Sequence, residues 1–124
     1  MAKVLLVEDD QFLQKMYQKK FQISGFEVEI AKDGEEGLSK MKALKPDIVL
    51  MDIMMPKLNG IDATAAAKSD ETTRNIPIII LTNLSSTEDA QTAVKKGAVD
   101  FMVKSNFTPA QVVEKVKQVL ASGK

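Results

Sequence analysis

The chain contains no cysteine and no histidine. Without thiols it has no disulfide, no thiolate nucleophile and no sulfur-ligated metal, a pattern expected of a cytoplasmic protein. Without imidazole it has no Ser-His-Asp triad, no histidine-ligated metal and no phosphohistidine of its own. Any chemistry must come from carboxylates, lysines, hydroxyls or backbone groups. The 17 basic side chains include a single arginine, Arg74, and are balanced by 17 acidic ones. There is thus no basic excess to neutralise a phosphate backbone, and direct binding to nucleic acid is not expected. No apolar run approaches the roughly 20 residues of a membrane span. The start, MAKVLLVEDD, turns acidic too soon for a secretion signal.

What is present is an alternation. The 124 residues, 44% hydrophobic and 27% charged, suit one globular domain spanning 1–124. Short β-rich apolar runs occur at 3–8 (KVLLVE), 26–31 (FEVEIA), 47–52 (DIVLMD), 76–81 (IPIIIL) and 98–103 (AVDFMV). Helical patterns lie between and after them. In the first, Phe12, Leu13, Met16, Tyr17 and Phe21 fall near one face, and Gly25 ends it. The second covers 35–45 and stops before Pro46; the third, rich in alanine, runs from about 61 to 68. The fourth opens at Ser85 with Glu88 three residues on, the pattern of a capping box, and closes at Gly97. The last, about 109–121, has Thr108 as N-cap and Pro109 at its first position, and should bury Val112, Val113, Val116, Val119 and Leu120. The tail ASGK is expected to fray. Five βα units with near-continuous apolar strands imply an α/β fold with a parallel sheet covered by helices on both faces.

Ligands of such sheets bind beyond the carboxyl ends of the strands. Glu8, Asp9 and Asp10 follow the first run, Asp52 ends the third, Thr82 and Asn83 follow the fourth, and Lys104 and Ser105 follow the fifth. The second run offers only Ala31 and Lys32 and reads as an edge strand. Asp10, just before a helix, reads as a cap. Asp52 is harder to explain by capping, because it sits inside IVLMDIMMP, an otherwise apolar stretch. Clustered carboxylates repel, and one lysine cannot balance three of them. A divalent ion with all-oxygen ligands, Mg²⁺ or Mn²⁺, suits such a set. A cation beside an amine and a hydroxyl would seat a phosphoryl group, and a carboxylate can be the nucleophile that accepts it. Asp52 is the candidate.

These pieces together, VLLVEDD, DIVLMDIMMP with Gly60, IIILT and GAVDFMVKS, resemble a response-regulator receiver domain, the phosphoacceptor module of two-component signalling. The resemblance covers nearly the whole chain. It implies a flavodoxin-like, doubly wound sheet of five parallel strands in the order 2-1-3-4-5 with five helices. It implies phosphorylation of Asp52, with Glu8, Asp9, Asp52 and the Met54 carbonyl around Mg²⁺. Lys104 would pair with the phosphoryl oxygens, Thr82 would hydrogen-bond the group, and Phe101 would be the switch aromatic. A histidine kinase or phosphotransfer protein would supply the phosphoryl group. The face built from the fourth helix, fifth strand and fifth helix would bind a downstream partner or an output domain. The chain would be a signalling switch rather than an enzyme, away from membranes.

Two positions depart from the family pattern. Asn83 stands where a small residue is usual and narrows access to the site. Ser105 stands where a proline often follows a cis bond, so the bond before it should be trans unless the loop is over-determined. Met54 and Leu84 flank the site with apolar side chains that would obstruct an attacking water. Three other readings remain. A flavin-binding protein would need a hydroxyl- and glycine-rich loop where EDDQF stands. A carboxylate-based phosphatase would have a second aspartate where Met54 stands. An inactive receiver would serve only as a binding module, yet it retains the acidic pair, Asp52, Thr82 and Lys104.

Overall fold

The five apolar runs become five strands, each followed by a helix, in a computed structural model that describes residues 1–122. The order is β1 (Lys3–Val7), α1 (Gln11–Ile23), β2 (Glu27–Ala31), α2 (Gly34–Leu44), β3 (Ile48–Asp52), α3 (Gly60–Ser69), β4 (Ile78–Thr82), α4 (Thr87–Lys95), β5 (Asp100–Val103) and α5 (Pro109–Ala121). Short 3₁₀ turns precede α4 at Leu84–Ser86 and follow β5 at Lys104–Asn106. All strand pairs are parallel and the sheet order is β2-β1-β3-β4-β5, with β2 at one edge as expected. Of the tail ASGK, Ala121 ends α5 and Ser122 caps it, while Gly123 and Lys124 lie outside the described residues. No helix among the described residues is long and apolar enough to cross a membrane.

Side-chain alternation divides each buried strand between two helical layers. Val4, Leu6, Ile48, Leu50, Ile79, Leu81 and Met102 face α1 and α5, where Tyr17, Phe21, Val112, Val113, Val116 and Val119 complete one apolar cluster. Leu5, Val7, Val49, Met51, Ile78 and Ile80 face the other way, against Met41 of α2, Ala63 and Ala67 of α3, and Ala90 and Ala93 of α4. Burying one such aliphatic side chain contributes about 1.5–3 kcal/mol, so these clusters supply most of the stability.

Local signals set the element ends. Asp10, Asp33, Asn59 and Thr108 cap α1, α2, α3 and α5 with side-chain oxygens that accept from backbone N–H groups. Thr108 and Gln111 form a reciprocal capping box. The capping box anticipated at Ser85 and Glu88 does not form. The chain first makes a 3₁₀ turn in which Ser86 N–H donates to the Asn83 carbonyl at 3.0 Å. That delays α4 to Thr87, with Ser86 as an N-cap that makes no side-chain bond. Glu88 lies in the first helical turn, where its charge still favours the helix dipole. Phe12 also departs from its expected face: it is 74% exposed, because it lies about half a turn around α1 from Phe21 and points away from the face that buries Tyr17 and Phe21. Every peptide bond among the described residues is trans, Lys104–Ser105 included.

Candidate functional site

The register of the central strands aligns their carboxyl ends. Val7 pairs with Met51, Asp52 with Leu81, and Thr82 with Val103. Glu8, Asp52 and Lys104 each lie two residues beyond Leu6, Leu50 and Met102, so all three rise from the sheet face that carries α1 and α5. Glu8 and Asp52 are almost fully buried, at 1% and 5% exposure. The Lys104 ammonium bridges them, 2.8 Å from Glu8 Oε1 and 3.3 Å from Asp52 Oδ2. Asp9, exposed, completes an acidic group in which one oxygen each of Glu8, Asp9 and Asp52 lies within 4.8 Å of the others.

Backbone groups fix these side chains. The Ile53 N–H donates to Asp52 Oδ1 at 2.8 Å, and the Asp10 N–H donates to Glu8 Oε2 at 3.1 Å. The Gln14 side-chain amide donates to the Glu8 carbonyl. Asp10, meanwhile, is occupied as the α1 cap, accepting from Leu13 N–H at 3.1 Å. The loop after Asp52 is braced from both sides. Gly60 N–H donates to the Ile53 carbonyl at 2.9 Å, and a Cβ on Gly60 would collide with the Asp52 carbonyl. A Cβ on Gly34 would likewise collide with the Leu58 carbonyl. Only glycine lets α2 and α3 approach this loop so closely. Lys57, within the loop, has a left-handed backbone (φ 67°), and Leu58 N–H closes a tight turn onto the Pro56 carbonyl at 2.8 Å.

Electrostatics follow from burial. Desolvation pushes the Asp52 and Glu8 carboxyls above their ordinary values of 3.8 and 4.5, and their mutual repulsion adds to Glu8; the Lys104 ammonium pulls both back. Burial acts against the charge on Lys104, yet the Glu8 hydrogen bond and the Asp52 charge outweigh it and raise its pKa. One ammonium faces three carboxylates, so the cluster carries excess negative charge and only oxygen donors. That is the donor set of a hard divalent cation.

The other sequence candidates sit at different distances from this cluster. Thr82 is fully buried at the end of β4, and its hydroxyl donates to the Asn83 carbonyl at 3.0 Å rather than to a carboxylate. By alternation it shares the opposite sheet face with Ile78 and Ile80. Phe101 is half-buried against that same opposite cluster. Met54 and Leu84 are 59% and 69% exposed on the loops after β3 and β4. Asn83 and Ser105 are exposed as well. One participant was not evident in the sequence. Gln14 looks like an ordinary polar helix position, and only the placement of α1 against β1 brings its amide to the Glu8 carbonyl.

The sequence matches the family model described as the response regulator receiver domain over residues 4–117. It is 35% identical to the probable transcriptional regulator ycf27 of Porphyridium aerugineum over 118 residues, 95% of this chain and 48% of that protein. The chain spans about half the length of the curated relatives it matches. Among solved structures, chemotaxis protein CheY4 of Vibrio cholerae aligns with a TM-score of 0.87 at 33% identity, covering 96% of this chain and 98% of that one. A CheY-like response regulator receiver domain protein from Methanospirillum hungatei aligns with a TM-score of 0.90 at 26% identity, covering 98% and 95%.

Proposed function

This chain belongs to the response regulator receiver domain family, and from that membership and the site geometry we propose that it is a phosphoacceptor switch in which Asp52 is the residue phosphorylated. The observation that carries the reading is the Lys104 ammonium held between Glu8 and Asp52 from the far end of the sequence. It keeps a cation beside a buried nucleophile and is already placed to follow the charge when that charge moves to a phosphoryl group.

Phosphoryl transfer depends on positioning and charge neutralisation. Asp52 Oδ2 attacks phosphorus, forming a carboxyl–phosphorus bond, while the bond from phosphorus to the donor breaks and the leaving group takes its electron pair. The donor is a phosphohistidine on a histidine kinase or phosphotransfer protein, since this chain has no histidine. Asp52 Oδ1 stays oriented by the Ile53 N–H during attack. The carboxylates of Glu8, Asp9 and Asp52, with the Met54 carbonyl, are the groups that would hold Mg²⁺ or Mn²⁺; the close-set oxygen donors fit such an ion. When bound, the ion offsets the negative charge shared by nucleophile and phosphate. Lys104 then pairs with the phosphoryl oxygens, and Thr82 exchanges its bond to the Asn83 carbonyl for one to the phosphoryl group. Phe101, on the same sheet face as Thr82, shifts inward, and the face formed by α4, β5 and α5 changes its population of states. A partner protein or an output domain reads that face. The transcriptional regulators among the relatives, about twice as long as this chain, favour the output-domain version.

Incubation with acetyl phosphate and Mg²⁺ should add one phosphoryl group by intact mass, and Asp52→Asn should abolish it. Persistent hydrolysis of simple phosphomonoesters would instead favour a phosphatase. Met54 and Leu84, exposed on the loops that follow β3 and β4, should slow attack by water. Loss of the phosphoryl group within seconds would contradict that role.

A further inference from the structure

Asp9 is the least anchored member of the acidic group. Glu8 and Asp52 are buried, and each carboxylate holds the Lys104 ammonium and a backbone N–H. Asp9 is exposed, and among the described residues no hydrogen bond or ion pair engages its carboxylate. One of its oxygens nevertheless lies within 4.8 Å of the other two acids. Its place must therefore come from the backbone that carries it. One residue grips that backbone. Gln14 brackets Asp9: its main-chain N–H donates to the Asp10 carbonyl at 2.9 Å, and its side-chain amide donates to the Glu8 carbonyl. The Glu8 N–H donates to the Ala31 carbonyl at 2.9 Å. The Glu8 carbonyl lies one residue past β1, and the Gln14 amide is its only donor among the described residues.

That single bond acts through a lever. The peptide unit is planar, so holding the Glu8 carbonyl sets the rotation of the chain at Glu8 and the direction in which it delivers Asp9. Groups that orient a metal ligand without touching the metal still tune its affinity. Gln14 also lines, together with Asp9, a cavity of about 680 Å³ at the carboxyl end of the sheet. With the amide removed, water in that cavity can satisfy the carbonyl, so the fold keeps its stability while the peptide loses its set direction. We propose that Gln14 is a positioning residue that pre-sets Asp9 for the divalent ion by clamping the peptide between Glu8 and Asp9. This inference rests on the phosphoacceptor reading, which gives the ion to these carboxylates.

The test uses the whole chain with Mn²⁺ as the probe, free ion being counted by electron paramagnetic resonance with no phosphoryl donor present. Gln14→Met keeps the length of the side chain and removes the donor. Gln14→Asn keeps the amide but is one methylene too short to reach. Both should weaken Mn²⁺ binding about 10-fold and leave the melting temperature of the metal-free chain unchanged. With acetyl phosphate added, the half-saturating Mg²⁺ concentration should rise by the same factor, while the phosphorylation rate at saturating Mg²⁺ should match wild type. Wild-type affinity in either variant, or a loss of affinity accompanied by a fall in the metal-free melting temperature, would overturn the role of Gln14 and leave the phosphoacceptor reading standing. A wild-type chain that binds no Mn²⁺ would overturn this inference; one that also gains no phosphoryl group would overturn the phosphoacceptor reading with it.

Discussion

The two faces of the sheet are filled differently. Between the sheet and the α1–α5 layer lie large side chains: Tyr17, Phe21, Phe26 and four valines of α5, with Phe21 and Phe26 edge to face at 5.3 Å. Between the sheet and α2–α4 the helices contribute mostly alanine, Ala63, Ala67, Ala90 and Ala93, and Phe101 is only half-buried. Glu8, Asp52 and Lys104 crown the first face, and Thr82 crowns the second. The contrast teaches where each task belongs. Charges held a few ångströms apart in a low-dielectric setting need a floor that does not move. The switch proposed for Thr82 and Phe101 would act on the side where the aromatic ring is only half-buried. The alanine-rich side also holds the one buried side-chain polar atom without a partner among the described residues, the Thr64 hydroxyl of α3. An unsatisfied group of that kind weakens the layer in which it lies.

Substitutions can break or sharpen this contrast. The largest effect is expected from Phe21→Ala, which opens a cavity on the large-residue face and should cost about 3–5 kcal/mol by urea unfolding. Ala67→Leu asks the converse question by forcing bulk under α3, and should cost about 1–3 kcal/mol. A neutral Ala67→Leu would mean that the alanine side is loosely packed rather than closely approached. Asp52→Asn probes the crown of the first face through pH. Asp52 and Glu8 have folded-state pKa values above the ordinary ones, so the fold holds their protons more tightly than the unfolded chain does. Their contribution to stability is full below about pH 4 and is lost as pH rises through the folded-state values. The asparagine variant should therefore be more stable than wild type at pH 7, by a margin that shrinks toward pH 4. A margin independent of pH would refute the argument. Thr64→Val should stabilise the second face by about 1 kcal/mol, by removing the unpaired hydroxyl. The smallest effect is expected from Lys57→Gly, which relieves a left-handed backbone outside both faces and should add about 0.5–1 kcal/mol.

Much of this was legible in the sequence, for physical reasons. Strands buried on both faces must read as apolar runs, and IVLMD and IIILT can hardly be anything else. Asp52 drew attention because a carboxylate in such a run needs a reason. Caps at Asp10 and Thr108 were readable because one side chain and one N–H decide them. The α4 start was not, because a 3₁₀ turn from Leu84 to Ser86 takes the place of the capping box that the local pattern also allows. Phe12 belongs to the other side of the helix on a strict 3.6-residue period, about half a turn from Phe21, and only the loose spacing of apolar residues groups it with Tyr17 and Phe21. The bond from Gln14 to the Glu8 carbonyl was not legible because it depends on the height of α1 along β1, which no local pattern encodes.

Met54 stands 59% exposed on a loop that Gly60 and Gly34 hold from opposite sides. In a chain without thiols, Met54→Cys would be a unique attachment point for a dye, and that dye would ride on a fixed platform beside Asp52. Its emission would then follow what happens to the carboxylate rather than the wandering of its own tether, which makes this loop the place from which to watch single molecules signal.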